Sequence, residues 1–136
     1  MDARAAEIWA SANSMTAKVD SAKAEILQPG FLPPGMRHLI LLMRFHNAVM
    51  GGGLSFAVEI SGQDLLSAAL EAMTYFGLSD VRRLLEGIDG DDPDYDLLPE
   101  LNDNYYVVTR EDQIGVSAVA EAFENMFQPR PEDFGA

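Results

Sequence analysis

The chain has 136 residues, 48% of them hydrophobic and none of them cysteine, which fits one globular domain able to bury a core without disulfides. Without cysteine, thiolate metal sites and a cysteine nucleophile are excluded. With 9 Lys/Arg against 22 Asp/Glu, a formal net charge of −13, direct binding to nucleic acid or to an anionic membrane is not expected, because phosphates are repelled.

The opening Met1-Asp2-Ala3-Arg4-Ala5-Ala6-Glu7 lacks the basic and apolar regions of a signal peptide. The longest apolar run, Leu39 to Met43, falls far short of the roughly 18 residues that span a bilayer. A cytoplasmic protein with no membrane partner is the expectation.

Residues 3–27 predict one helix, with Ile8, Ala12, Met15, Val19, Ala22 and Ile26 recurring at steps of four and three along one stripe. That stripe packs either on the body of the protein or on a second copy, and its length for a thin alanine-rich face points to a homodimer. Trp9 then lies at the margin of the contact. Residues 28–35, with three prolines and two glycines, form a connector. Met36 to Met50 is apolar almost all round and predicts a central buried helix. Gly51-Gly52-Gly53 interrupts it, and Leu54 to Ile60 resumes as a short helix or a strand.

Ser61-Gly62-Gln63-Asp64 has the form of a capping box opening a helix through Leu65, Leu66, Ala69, Leu70, Met73 and Phe76, which Gly77 closes in left-handed geometry. Ser79 is placed to cap a helix reaching Ile88. A polar loop covers 89–96, and a short helix is predicted around Pro99 to Tyr106. Thr109-Arg110-Glu111-Asp112 reads as a second capping box, with a helix to about Phe127 and a C-terminal tail over 128–136. The expected fold is all-α: a single compact bundle of about six helices, with no internal repeat.

Chemistry finds little support. His38 and His46 stand about 12 Å apart on one helix, too far to share a metal. A distant carboxylate such as Glu59 has no ligand spacing to His46, and a hydrogen-bonded histidine at the edge of the core is the favoured reading. No serine or threonine sits in a nucleophile elbow, and the triple glycine lacks the Gly-Lys-Ser/Thr of a phosphate loop. Two calcium registers across Asp89 to Asp103 fail: one places Leu97 and the other Asp94 where the loop requires glycine. No catalytic residue, metal or cofactor is expected.

Charge carries more information. Residues 1–70 hold 5 Lys/Arg against 6 Asp/Glu, a net of −1, whereas residues 71–136 hold 4 against 16, a net of −12. Within that half, Glu86, Asp89, Asp91, Asp92, Asp94, Asp96, Glu100 and Asp103 follow one another with no intervening base. Carboxylates at this density repel one another unless cations or a basic partner gather there. The segment is a candidate docking face for a basic protein, set against the alternative of a solubilising loop.

The stretch from Met36 to about Phe127 resembles the DNA-mimic-protein family of small acidic helical bacterial domains. The resemblance lies in Gly52-Gly53-Leu54-Ser55-Phe56-Ala57, in Ser61-Gly62 opening an Ala/Leu-rich helix that ends at Phe76-Gly77-Leu78, in Leu98-Pro99-Glu100-Leu101-Asn102-Asp103-Asn104-Tyr105-Tyr106, and in Pro131-Glu132-Asp133-Phe134. It covers about two thirds of the chain. Gly51 and Leu54 depart from the family, which has asparagine and an aromatic at those positions. The resemblance implies an all-α, often dimeric, non-enzymatic protein, and in at least one member of the family a carboxylate array imitates DNA phosphates to occupy a DNA-binding protein. An immunity protein that neutralises a toxin is the rival reading.

Overall fold

The computed structural model of the protein describes residues 1–115 and 117–136. Helix α1 (Ala3–Met15) starts where the Asp2 carboxylate accepts the Ala5 amide at 2.8 Å, an N-terminal cap for an otherwise unpaired donor. It stops at Met15. The chain continues through a 3-10 turn (Thr16–Lys18), an irregular stretch and a second 3-10 turn (Glu25–Leu27). The single helix expected over 3–27 is therefore corrected: its second half is not α-helical. The apolar stripe survives because packing, not helical period, uses it. Ala12, Val19 and Leu27 are buried, and Ile8, Trp9, Met15, Ala22 and Ile26 pack against the same core.

Helix α2 (Pro34–Tyr75) forms the centre, with Pro34 in its first turn where a missing N–H is harmless. Its backbone leaves helical geometry at Gly53 (φ 84°, ψ 172°) and Gly62 (φ 66°, ψ −178°), so it consists of three rods, 34–52, 54–61 and 63–75. Both breaks require glycine, since a Cβ is disfavoured at positive φ. The helix runs through Gly51 and Gly52, so one glycine of the triplet makes the break. Residues 54–61 are helical, which resolves the helix-or-strand alternative. Among the described residues α2 alone has the length and apolar composition to cross a bilayer; here most of its apolar side chains, Leu39 to Met43 among them, are buried in the core, while Phe56 and Ile60 are exposed.

Gly77 (φ 72°) ends α2 as expected. Helix α3 (Ser79–Leu85) and helix α4 (Leu98–Val108) pack against α2 and against each other. Helix α3 is shorter than expected, and Ser79 is its first helical residue, not its cap. The second capping box is also corrected: Thr109 is buried and its hydroxyl donates to Tyr105 O at 2.7 Å, closing α4. Helix α5 (Ala118–Phe127) begins only after a turn region; the expected helix from 109 also crosses Val116, which lies outside the described residues. Residues 131–134 are no tail. They form a 3-10 turn that buries Phe134 against Phe76, Phe123 and Phe127, with ring centroids 5.4–6.1 Å apart. The described residues thus form five α-helices, no strand and one continuous core.

Candidate functional site

The acidic segment is anchored to the two breaks in α2. After Gly62, the Gln63 amide donates to Asp91 Oδ1 at 3.0 Å, and the Gln63 side chain accepts the Gly90 amide at 2.7 Å. The loop sits so close here that a Cβ on Gly90 would lie 2.7 Å from Gln63 Cα. After Gly53, the Leu54 amide donates to Asn102 Oδ1 of α4 at 2.8 Å. Each rod of α2 that follows a break is capped by a side chain from the acidic segment, not by a neighbour in sequence. Ser61, expected to cap its own helix, instead donates to Ala57 O at 2.6 Å and accepts from Arg44 at 3.2 Å.

The eight acids do not share one role or one direction. Asp91 serves as the cap just described and faces a small cavity that Asp20 and Asp64 also line. Asp89 Oδ1 accepts the amides of Asp91 and Asp92 at 3.0 and 3.2 Å, and Asp94 Oδ1 accepts the Asp96 amide at 3.1 Å. These bonds turn the loop sharply and fix its carboxylates. Asp89, Asp92 and Asp94 border a cavity of about 390 Å³ between the end of α3 and the start of α4. Glu86 closes α3, and Glu100 and Asp103 lie exposed on α4. Among the described residues, Glu86 has a loose ion pair to Arg82 at 3.9 Å, and the other seven acids have none. Also among the described residues, no three His, Asp or Glu side chains gather as a metal site.

Two polar centres lie elsewhere, and sequence reading missed the partners in both. His46 is 8% exposed; its Nδ1 lies 2.7 Å from the Tyr105 hydroxyl and its Nε2 3.1 Å from Glu111 Oε1, which also accepts the Ser117 hydroxyl at 2.6 Å. A neutral imidazole satisfies this arrangement, with Tyr105 donating to Nδ1 and Nε2–H donating to Glu111. Burial lowers the affinity of His46 for a proton, and the Glu111 carboxylate restores part of it. Burial raises the Tyr105 phenol well above its ordinary range, with Glu111 adding to the effect. Glu111, and not Glu59, is the partner of His46, and this centre borders none of the cavities described. The second centre is Arg44, whose guanidinium donates to Val19 O at 2.8 Å, Ile60 O at 3.1 Å and Ser61 at 3.2 Å. It ties the irregular stretch after α1 to the break at Gly62. The available signal was polarity out of place: Arg44 and His46 flank Phe45 just after the apolar run Leu39 to Met43.

Residues 30–134 match the DMP19-like protein family, the family of DNA mimic protein 19. The chain belongs to the DMP19-like proteins. No curated protein and no solved structure matches it. The match takes in both breaks of α2, the whole acidic segment and the buried Phe134.

Proposed function

We propose that this DMP19-like protein is a non-catalytic, cytoplasmic binding protein whose segment 86–103 engages a basic protein surface, imitating DNA phosphates to occupy a DNA-binding protein. One observation carries the reading: among the described residues, seven of eight acids in the segment have no ion pair, yet the segment is anchored through Gly90, Asp91 and Asn102. A loop serving only solubility has no need of such anchoring, whereas a docking face gains affinity from being held in place. Family membership supports the same reading.

The test is association with a host lysate in 50 mM and 500 mM salt, comparing the native chain with an Asp92→Asn, Asp94→Asn, Asp96→Asn variant. A partner retained at low salt, released at high salt and lost by the variant is expected. Binding that ignores both salt and neutralisation refutes the reading. The rival, an immunity protein, is supported by a secreted toxin encoded next to this gene and opposed by its absence. A homodimer, implied by the family resemblance, is part of the proposal and is checked by light scattering. The N-terminal stripe does not by itself require one, because Ala12 and Val19 are buried in the protein's own core and Ile8, Met15, Ala22 and Ile26 pack partly buried against it.

A further inference from the structure

The cavity between α3 and α4 is acidic only at its edge. Leu84, Ile88, Leu98 and Leu101 line it, Leu97 stands 55% exposed, and Asp89, Asp92 and Asp94 complete its border. Arg83 is the one base in the lining, and it pairs with Asp80 at 3.3 Å. Exposed leucine around a hollow marks a place where an apolar group is received. The carboxylates add a charge condition: whatever enters must bring cations beside its apolar part.

We propose that this cavity receives one large apolar side chain from a Lys/Arg-rich segment of a protein partner. The proposal rests on the binding reading above and specifies the chemistry of the partner. A nucleic acid is repelled, and it has no aliphatic anchor to offer. A second copy in a two-fold contact would set Asp89, Asp92 and Asp94 against their own equivalents, a like-charge arrangement that opposes association. A cationic peptide with an apolar residue satisfies both the floor and the border. The border is also pre-set, because Asp89 and Asp94 each hold loop amides through Oδ1 and leave Oδ2 unpartnered among the described residues. Pre-set carboxylates reduce the ordering that binding requires. A central apolar anchor ringed by charge is the usual form of an energetic hot spot.

The probes are three synthetic 13-residue peptides: one Lys/Arg-rich with a single central Phe, one with Ala in its place, and one with Phe but Gln replacing every Lys and Arg. On the native chain the Phe cation should bind about tenfold tighter than the Ala cation, the value for burying one aromatic side chain. Methyl resonances of Leu84, Ile88, Leu97 and Leu101 should shift. Gly87 lines the cavity, and a Cβ there meets nothing within 4 Å, so Gly87→Trp crowds the cavity without disturbing the core. It should abolish the Phe advantage and leave the Ala cation unaffected.

Equal affinity of the two cations overturns the pocket proposal; if that affinity still falls steeply with salt, the electrostatic reading stands. Shifts centred on the groove of Met15, Ile26 and Phe31 also overturn it, and they do so on the native chain whatever becomes of the variant. Tight binding of the Gln peptide overturns the cationic partner. Phe-dependent binding that is indifferent both to salt and to Asp92→Asn with Asp94→Asn refutes the electrostatic reading itself.

Discussion

Asp91 Oδ1 accepts the backbone N–H of Gln63 at 3.0 Å, so one carboxylate of the acidic segment is the N-terminal cap of the last rod of α2. This separates structural from interactive acids within a single loop. Asp91→Ala should lower stability by about 1 kcal/mol, the usual effect of losing a cap. Asp96→Ala should change it by less than about 0.5 kcal/mol, as an exposed substitution does. Urea unfolding of the two variants checks the contrast; equal midpoints contradict the cap. It follows that Asp91 belongs outside any set of charge-neutralising substitutions meant to probe binding alone.

Asn102 performs the same service for the rod that begins at Leu54, and at a half-buried site. Asn102→Ala should lower stability by about 1–2 kcal/mol, since the amide then lacks a partner and water reaches it poorly. Asn102→Asp keeps the acceptor and should retain most of the stability. Thermal unfolding of the pair is the measurement, and Asn102→Asp falling as far as Asn102→Ala would contradict the assignment. Hydrogen exchange at Leu54 should quicken in the alanine variant alone.

The uneven legibility of this chain follows from the range of its interactions. The all-α class and most helix positions came from local patterns: the glycine triplet at 51–53 and Gly77 at helix ends, and apolar period in between. Residues 19–27 went wrong because Val19, Ala22 and Ile26 pack on the core from backbone that is not α-helical, yet fall at helical spacing. The two capping boxes failed for a different reason. Their serine and threonine found partners one turn back, at Ala57 and Tyr105, while the cap of the rod after Gly62 came from 28 residues away; the cap of the rod after Gly53 lies 48 residues off. His46 and Glu111 are 65 residues apart. No local pattern encodes such a pair. The acidic segment was visible as charge, but its division into a cap, a bordered cavity and an outer set depends on how the loop lies against Gly62.

Titration of His46 gives a pH prediction with a definite sign. Its folded-state proton affinity is lowered, first by burial, so the unfolded chain takes up a proton at a higher pH than the folded one does. The stabilisation is therefore fully present above the unfolded value of about 6.5. It is lost as pH falls from there through the folded value. In that window the slope is at most about 1.4 kcal/mol per pH unit for one proton. His38, lowered chiefly by burial as well, acts in the same direction. Urea midpoints between pH 5 and 8 should decline toward acid, and the decline should flatten in a His46→Gln, His38→Gln variant relative to its own value at pH 8. Equal slopes in both chains would remove the histidines from the account.

Whether the N-terminal stripe serves an interface or the protein's own body is decided by Val19 and Met15. Val19 is 5% exposed within the core, and its carbonyl holds the Arg44 guanidinium at 2.8 Å. Met15 packs against that core, and the Trp9 ring lies tilted against Phe123 of α5, with centroids 5.4 Å apart. Changing Met15 and Val19 to Asp places two carboxylates where apolar groups pack, and Asp at 19 has no cationic partner except an Arg44 already engaged by three acceptors. The variant should lose about 3 kcal/mol or more of stability, given the desolvation of an unpaired charge. It should appear as a cooperative unfolding at lower temperature, together with faster proteolysis of residues 1–33. An interface role predicts something different: a folded monomer whose midpoint matches that of the native chain at low concentration. Circular dichroism and light scattering on the same samples distinguish the two, and an unchanged midpoint for the variant would return the stripe to the surface.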